Sequence, residues 1–273
     1  MRTTETINIV GAGLAGSILA RLLFQNNIKY NIFDSGEKYA ASKYSENIFS
    51  LGWEKRLGKE ICNYSVNTLN KMVKVDTVYF KNINYIKSYR VKPKNILVEH
   101  IKDSVTSVNE DGVMTEENGF YKGITVLCAG IYNKDFINIK GLDALTGHGL
   151  LFEGVWKKDP AMLMPIPHRH FKAFQFDKNR IWFGDSTTVL HKNYIKRKNE
   201  LIENSVQRAK KYFNLTGKYE TAFGARPFVG KNTRQPMMGY HKKLNGRLHV
   251  LTGGWKMGLV IYPYLANKLM SEL

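Results

Sequence analysis

At 273 residues, 43% hydrophobic and 12% aromatic, the chain is long enough to bury a sizeable core as one large domain or two interleaved lobes. No apolar run reaches the roughly 18 residues of a membrane-spanning helix. The opening Met1–Thr6 lacks the apolar core of a signal peptide, and Cys62 and Cys128 give neither a disulfide framework nor a metal-ligand spacing, so a reduced, cytoplasmic protein without a metal is expected. Lys and Arg number 41 against 23 acids, a net charge of +18 that attracts polyanions such as nucleic acid, although a chain rich in Lys, Asn, Ile and Tyr reaches a similar excess with a merely solvated basic face.

The first element is the apolar strand Ile7–Val10, which runs directly into Gly11-Ala12-Gly13-Leu14-Ala15-Gly16. In a Gly-x-Gly-x-x-Gly turn the first glycine permits the tight bend, the second lets a pyrophosphate approach the backbone, and the third lets the following helix pack on the strand. Ser17–Phe24 continues as an amphipathic helix whose N-terminus presents free N–H groups to an anion. A second strand, Tyr30–Phe33, ends in Asp34, 18 residues past Gly16, where a carboxylate meets a ribose hydroxyl; an acid here favours FAD or NAD over NADP.

Residues 40–60 read as a loop entering a helix, and 61–74 carry helical spacing through Val66, Leu69, Met72 and Val73. Val75–Phe80 is a strand, Asn95–His100 a strand or short helix, and Ser104–Val108 with Gly112–Thr115 a hairpin. Gly123–Gly130 is apolar on both faces, which suits the centre of a parallel sheet. Leu150–Trp156, Ala161–Met164, Phe171–Phe176 and Arg180–Gly184 predict an antiparallel second layer. Residues 196–213 form a basic helix with Leu201, Ile202, Val206, Ala209 and Phe213 on one stripe. Arg247–Thr252 is again a strand entering glycine, Gly253-Gly254, before a last helix from about Tyr262 to Leu273. Strand, glycine turn and helix thus occur at both ends, and the two ends are expected side by side on one dinucleotide.

Four segments occur in order: Gly11–Gly16, Thr125–Gly130, Phe223-Gly224-Ala225-Arg226-Pro227, and Thr252-Gly253-Gly254-Trp255-Lys256-Met257-Gly258-Leu259. Together they resemble the D-amino-acid oxidase / glycine oxidase family of FAD-dependent oxidoreductases, including the FAD domain of the bacterial tRNA wobble-uridine modification enzyme. The resemblance implies an α/β fold: an FAD-binding, Rossmann-like domain of the glutathione-reductase type with a reduced, mainly antiparallel β substrate layer. It implies a discontinuous FAD-binding domain at 1–50, 96–148 and 245–273, and a substrate domain at 51–95 and 149–244. The chain is short for the family, chiefly between residues 50 and 150, which implies a more open site.

Carried onto this sequence, the resemblance gives Gly11, Ala12, Gly13, Leu14, Ala15 and Gly16 the pyrophosphate and Asp34, with Ser35 beside it, the adenosine ribose. Ala41 and Ser42 would lie near the diphosphate and flavin, the Val105 backbone at the adenine, and Ala129 and Gly130 against the cofactor. Gly253, Gly254, Trp255, Lys256, Met257, Gly258 and Leu259 would run along the isoalloxazine, where backbone amides stabilise negative charge on the reduced ring. The catalytic expectations are Arg226, a forked and permanently charged clamp for a substrate carboxylate, and Lys256, where relatives carry a second Arg. His168, His170 and His241 receive no role.

The reaction implied is FAD-dependent oxidation of the C–N bond in an amino-acid-like or secondary amine, with O2 as acceptor. Two substrate classes stay open: a free amine such as glycine or sarcosine, and a glycyl-type group on a nucleic-acid base, to which the basic charge tilts the reading. A non-catalytic flavin- or nucleic-acid-binding protein is the alternative of a different class.

Overall fold

The computed structural model describes residues 4–36, 42, 48–50, 57–81, 85–91, 93–156, 161–166, 169–184, 188–230, 240–245, 247–254 and 257–273. The chain opens with β1 (Ile7–Val10), α1 (Leu14–Gln25) and β2 (Tyr30–Phe33). After β3 (Ile48–Ser50) come α2 (Lys59–Met72), β4 (Asp76–Lys81), β5 (Tyr85–Arg90) and the single turn α3 (Pro93–Ile96). A meander, β6 (Val105–Val108), β7 (Gly112–Thr115) and β8 (Gly119–Lys122), leads to β9 (Ile124–Leu127) and a 3-10 helix (Gly130–Asp135). Then follow β10 (Leu142–Glu153), β11 (Ala161–Ile166), β12 (Arg169–Gln175), β13 (Arg180–Gly184) and β14 (Thr188–Leu190). The chain closes with α4 (His191–Phe213), β15 (Tyr219–Val229), β16 (Tyr240–Asn245), β17 (Leu248–Thr252) and α5 (Gly258–Met270).

Among the described residues the strands form three sheets. The first has the order β16-β17-β9-β1-β2, with β17, β9, β1 and β2 parallel and β16 antiparallel at the edge. Ile124, Val126 and Leu127 are buried and β9 is central, as an apolar run on both faces requires. On one face α1, α2 and α5 bury Ile18, Leu19, Leu23, Leu69, Val260 and Leu269 against Ile7 and Ile9. On the other, the meander β6-β7-β8 covers Val10, Phe33, Leu127 and Val250 with Val113 and Tyr121. The two ends of the chain therefore meet in one layered unit, with β17 joined to β1 through β9 and α1 packed on α5.

The second large sheet runs β14-β10-β13-β12-β11-β4-β5-β3, with β15 along the other edge of β10, and is antiparallel except where β11 meets β4. α4 crosses one face, its Val206, Ala209 and Phe213 packing on Leu150, Phe152 and Phe183. Two buried polar links fix it there: Thr146 Oγ1 lies 2.7 Å from His191 Nδ1, and His148 Nε2 lies 2.8 Å from Ser205 Oγ.

Three boundaries differ from the sequence reading. α4 begins at His191, and Arg197 interrupts it with non-helical dihedrals (φ −115°, ψ 15°), so the apolar stripe marked only the stretch beyond the kink. α5 begins at Gly258, four residues before the predicted start at Tyr262, and Pro263 lies inside it. The ring at Pro263 removes one helical donor, and Ser65 of α2 donates its hydroxyl to the Val260 carbonyl in the same turn. Strand β10 starts eight residues before Leu150.

Candidate active site

The glycine turn serves two purposes. Gly11 adopts φ +104°, and a Cβ there would stand 2.8 Å from Ala129 Cα and from the Cys128 carbonyl, while a Cβ on Gly16 would stand 2.0 Å from the Gly11 oxygen. Both glycines hold β1, β9 and α1 together. Gly13 differs: among the described residues a Cβ there would meet only Ser42, at 3.3 Å from Oγ, and Gly13 itself lines the cavity described below. Gly13 is the N-cap of α1, whose first turn carries no acid, leaving the positive end of the helix uncompensated by its own residues.

Two side chains brace the turn. Asp34 accepts the Ala12 amide at 2.8 Å and the Gly36 amide at 2.7 Å, and Ser42 Oγ accepts the Leu14 amide at 2.8 Å. The Asp34 carboxylate is thus fixed at the end of β2, facing the same space as Gly13.

That space is a cavity of about 340 Å³ at the carboxyl edge of the parallel strands. Open α/β sheets bind ligands at this edge. Of the residues singled out in the sequence, Gly11, Gly13, Leu14, Ala15, Asp34, Ser35, Ser42, Val105, Ala129 and Gly130 line it. Ala12 and Gly16 are buried behind it, and Gly253, Gly254, Met257, Gly258 and Leu259 form the described turn into α5 without lining it. Ala41, Trp255, Lys256 and His168 lie outside the described residues, and the side chains of His170 and His241 are not described.

Arg226 pairs with Leu145 between Ala225 and Pro227, both of which line the cavity. Side chains alternate along a strand, so Arg226 is half-buried on the face of β15 turned away from Ala225 and Pro227, and from α4, which packs on the Thr146 and Leu150 side of β10.

Several lining residues carried no signal in the sequence. Asp103 receives the Asn118 side chain at 2.7 Å and the Glu117 and Asn118 amides at 3.2 Å. Burial works to raise its carboxyl, but donors from Asn118, Thr115 and Glu117 outweigh that and hold it below the usual range. Tyr132 and Phe136 enter from the 3-10 helix, Cys128 from the end of β9 and Tyr262 from α5. Burial pushes the Cys128 thiol and the Tyr262 phenol up, so both are neutral at neutral pH. Among the described residues no group of His, Cys, Asp and Glu could hold a metal, and no helix is long and apolar enough to cross a membrane.

The donor set fits a dinucleotide. A helix N-terminus whose first turn carries no acid, a carboxylate at the next strand end and a small-residue floor at Ala129 and Gly130 lie along one cavity. They offer in sequence an anion site, a ribose partner and room for a flat group.

No family model and no curated protein matches this sequence. Solved structures do match its fold. Glycine oxidase from Bacillus cereus ATCC 14579 superposes with a TM-score of 0.70 at 15% identity, covering 98% of this chain and 94% of that one. Iminodiacetate oxidase from Chelativorans sp. BNC1 gives 0.67 at 12% identity, covering 97% and 94%. An FAD-dependent oxidoreductase from Pseudomonas aeruginosa gives 0.66 at 15% identity, covering 100% and 91%. Over nearly its whole length the chain has the α/β fold of these FAD-dependent oxidoreductases.

Proposed function

We propose that the cavity holds FAD and that the chain is an FAD-dependent oxidoreductase acting on the C–N bond of an amino-acid-like or secondary amine. The observation that carries this reading is the convergence of Gly13, Asp34, Ser42, Val105, Ala129 and Gly130 on one cavity at the carboxyl edge of the parallel sheet. The structural neighbours support it, because those three proteins are two amine oxidases and an FAD-dependent oxidoreductase.

In this reading the residues divide into roles. The α1 N-terminus at Gly13 and Leu14 takes the pyrophosphate, Asp34 with Ser35 the adenosine ribose, and the Val105 backbone the adenine side. Ala129 and Gly130 would leave room for the isoalloxazine, and backbone amides between Gly253 and Leu259 would stabilise negative charge on its reduced form. Bound FAD supplies a hydride acceptor for the carbon next to nitrogen and a route for the electrons to O2. The amine becomes an imine that water hydrolyses. Arg226, on the face of β15 opposite Ala225 and Pro227, is assigned the substrate carboxylate. Lys256 stabilises developing negative charge. A neutral amine needs no strong base, and positioning carries the rate. The FAD-binding part is expected over 1–50, 96–148 and 245–273 and the substrate part over 51–95 and 149–244; the sheets divide the chain differently at three places, with β3 and the start of β10 in the second sheet and β16 in the first.

A second reading places the amine on a nucleic-acid base. Its support is the net charge of +18 and the exposed Lys192, Lys196, Lys210 and Lys211 of α4; the exposed Arg197 is already paired with Glu200 at 2.6 Å. Lys231 and Arg234 lie outside the described residues, and Lys242 and Lys243 are placed on β16 by backbone alone. An anaerobic flavin-reduction screen separates the readings. It compares glycine and sarcosine with glycyl-modified nucleosides, oligonucleotides and tRNA. Bleaching by a free amine supports the first; bleaching by the oligonucleotide that weakens steeply with salt, where the free nucleoside is salt-indifferent, supports the second.

A further inference from the structure

The α5 helix brings one side chain to the cavity that no motif announced. Tyr262 stands four residues after Gly258, on the same helical face, and helical side chains lean back toward the N-terminus. Its ring consequently lies over the start of α5. A Cβ on Gly254 would be 2.6 Å from Tyr262 Cζ, and one on Gly258 would be 2.9 Å from Tyr262 Cε2 and 3.3 Å from Leu14 Cδ2. The ring thus packs against Gly254 and Gly258, where any Cβ would collide with it, and the Leu14 side chain reaches the same Gly258.

The hydroxyl is half used. It accepts the Gly254 amide at 2.9 Å. A phenol is both donor and acceptor, and among the described residues nothing accepts the Tyr262 proton. The residue is only 6% exposed yet lines the cavity. A buried donor without an acceptor is costly, and the cavity is the space where one can be found. Leu14, at the N-terminus of α1 where a pyrophosphate would bind, lines the same cavity and reaches Gly258 on the same helical face as Tyr262.

We propose that Tyr262 is a cofactor-binding residue whose hydroxyl donates to a diphosphate oxygen of the dinucleotide while the Gly254 amide holds the hydroxyl in place. This rests on the FAD reading above. It also couples the two ends of the chain, since one phenol then touches the turn before α5 and the phosphates seated on α1.

The test measures binding and not turnover. FAD, ADP and adenosine are titrated against the wild-type chain and Tyr262→Phe. Loss of a hydrogen bond to a charged oxygen predicts FAD and ADP affinities about tenfold or more weaker in the variant, with adenosine unchanged. Unchanged FAD and ADP affinities overturn the proposal, and so does adenosine weakened by the same factor, which assigns Tyr262 to holding the Gly254 turn alone. Should Tyr262→Phe fail to fold, a fluorinated tyrosine at position 262 keeps both hydrogen bonds. Its fluorine resonance should then move with ADP and not with adenosine, and a resonance indifferent to both refutes the role. Wild-type protein that binds neither FAD nor ADP removes the cofactor reading and this inference together. Wild-type binding with an indifferent Tyr262→Phe removes only the inference.

Discussion

Gly13→Asp separates folding from cofactor binding at a single position. Among the described residues a Cβ here meets only Ser42, and the backbone (φ −67°, ψ −169°) is one any residue adopts. Gly13 is also the N-cap of α1, where aspartate caps better than glycine by a few tenths of a kcal/mol and complements the helix dipole by about 0.3–1 kcal/mol. The variant without cofactor should therefore be as stable as the wild type or slightly more so, with a thermal midpoint unchanged or raised by roughly 1–3 °C. The same carboxylate occupies the anion site. At about 4 Å from a phosphate charge and an effective dielectric of about 20, the repulsion is about 4 kcal/mol per charge pair, around a thousandfold in Kd. The assay is thermal unfolding of the FAD-free proteins beside a fluorescence titration with FAD. A Gly13→Asp protein that binds FAD like the wild type refutes the placement of the pyrophosphate, and one that is colourless because it does not fold refutes the claim that Gly13 has room for a side chain.

Gly16→Ala should behave in the opposite way, because its Cβ would meet the Gly11 carbonyl at 2.0 Å and backbone must move; we expect about 1–3 kcal/mol or more of destabilisation, read as a lower thermal midpoint in the absence of FAD. Arg226→Ala should retain FAD and lower kcat/KM about ten- to a hundredfold, with Arg226→Lys restoring only part; equal activity on a decarboxylated analogue of the substrate argues against the clamp. Ser205→Ala removes the hydroxyl 2.8 Å from the buried His148 Nε2 and should cost about 1–3 kcal/mol, a fall of several degrees in the thermal midpoint. Burial, helped by Lys134 and opposed by Asp143, holds His191 below its usual 6.5. The unfolded chain then binds that proton more readily, so this contribution is complete above about pH 6.5 and is lost as the pH falls toward the folded value. His191→Gln should flatten the decline in thermal midpoint from about pH 7 to pH 5, and an unchanged slope excludes His191 as a cause.

The parallel sheet was legible because each piece obeys a local rule. Ile7–Val10 and Ile124–Leu127 are mostly apolar and buried on both faces, Gly11–Gly16 bends between strand and helix, and Asp34 ends the second strand. The cavity wall built from those segments was legible for the same reason. The opening half of β10 was not. The sequence reading began this strand at Leu150, just past Gly147 and Gly149, yet a Cβ on Gly149 would stand 2.1 Å from the Trp182 ring, so the glycine makes room for a neighbouring strand and does not break its own. β15 was hidden likewise by Gly224 and Pro227, which an edge strand tolerates because its free side needs no donor. Tyr132, Asp103 and Tyr262 reach the cavity from a 3-10 helix, a loop and the last helix. Their presence is a product of tertiary packing, and the one local hint was the i, i+4 spacing of Gly258 and Tyr262.

The central claim is that the cavity is built for a complete flavin dinucleotide. The most direct test is a titration of the purified, ligand-free chain with FAD beside FMN, which lacks the adenosine half proposed for the cavity residues Asp34, Ser35 and Val105. The account predicts saturable binding of one FAD per chain and much weaker binding of FMN. No FAD binding, or FMN binding as tight as FAD, contradicts it.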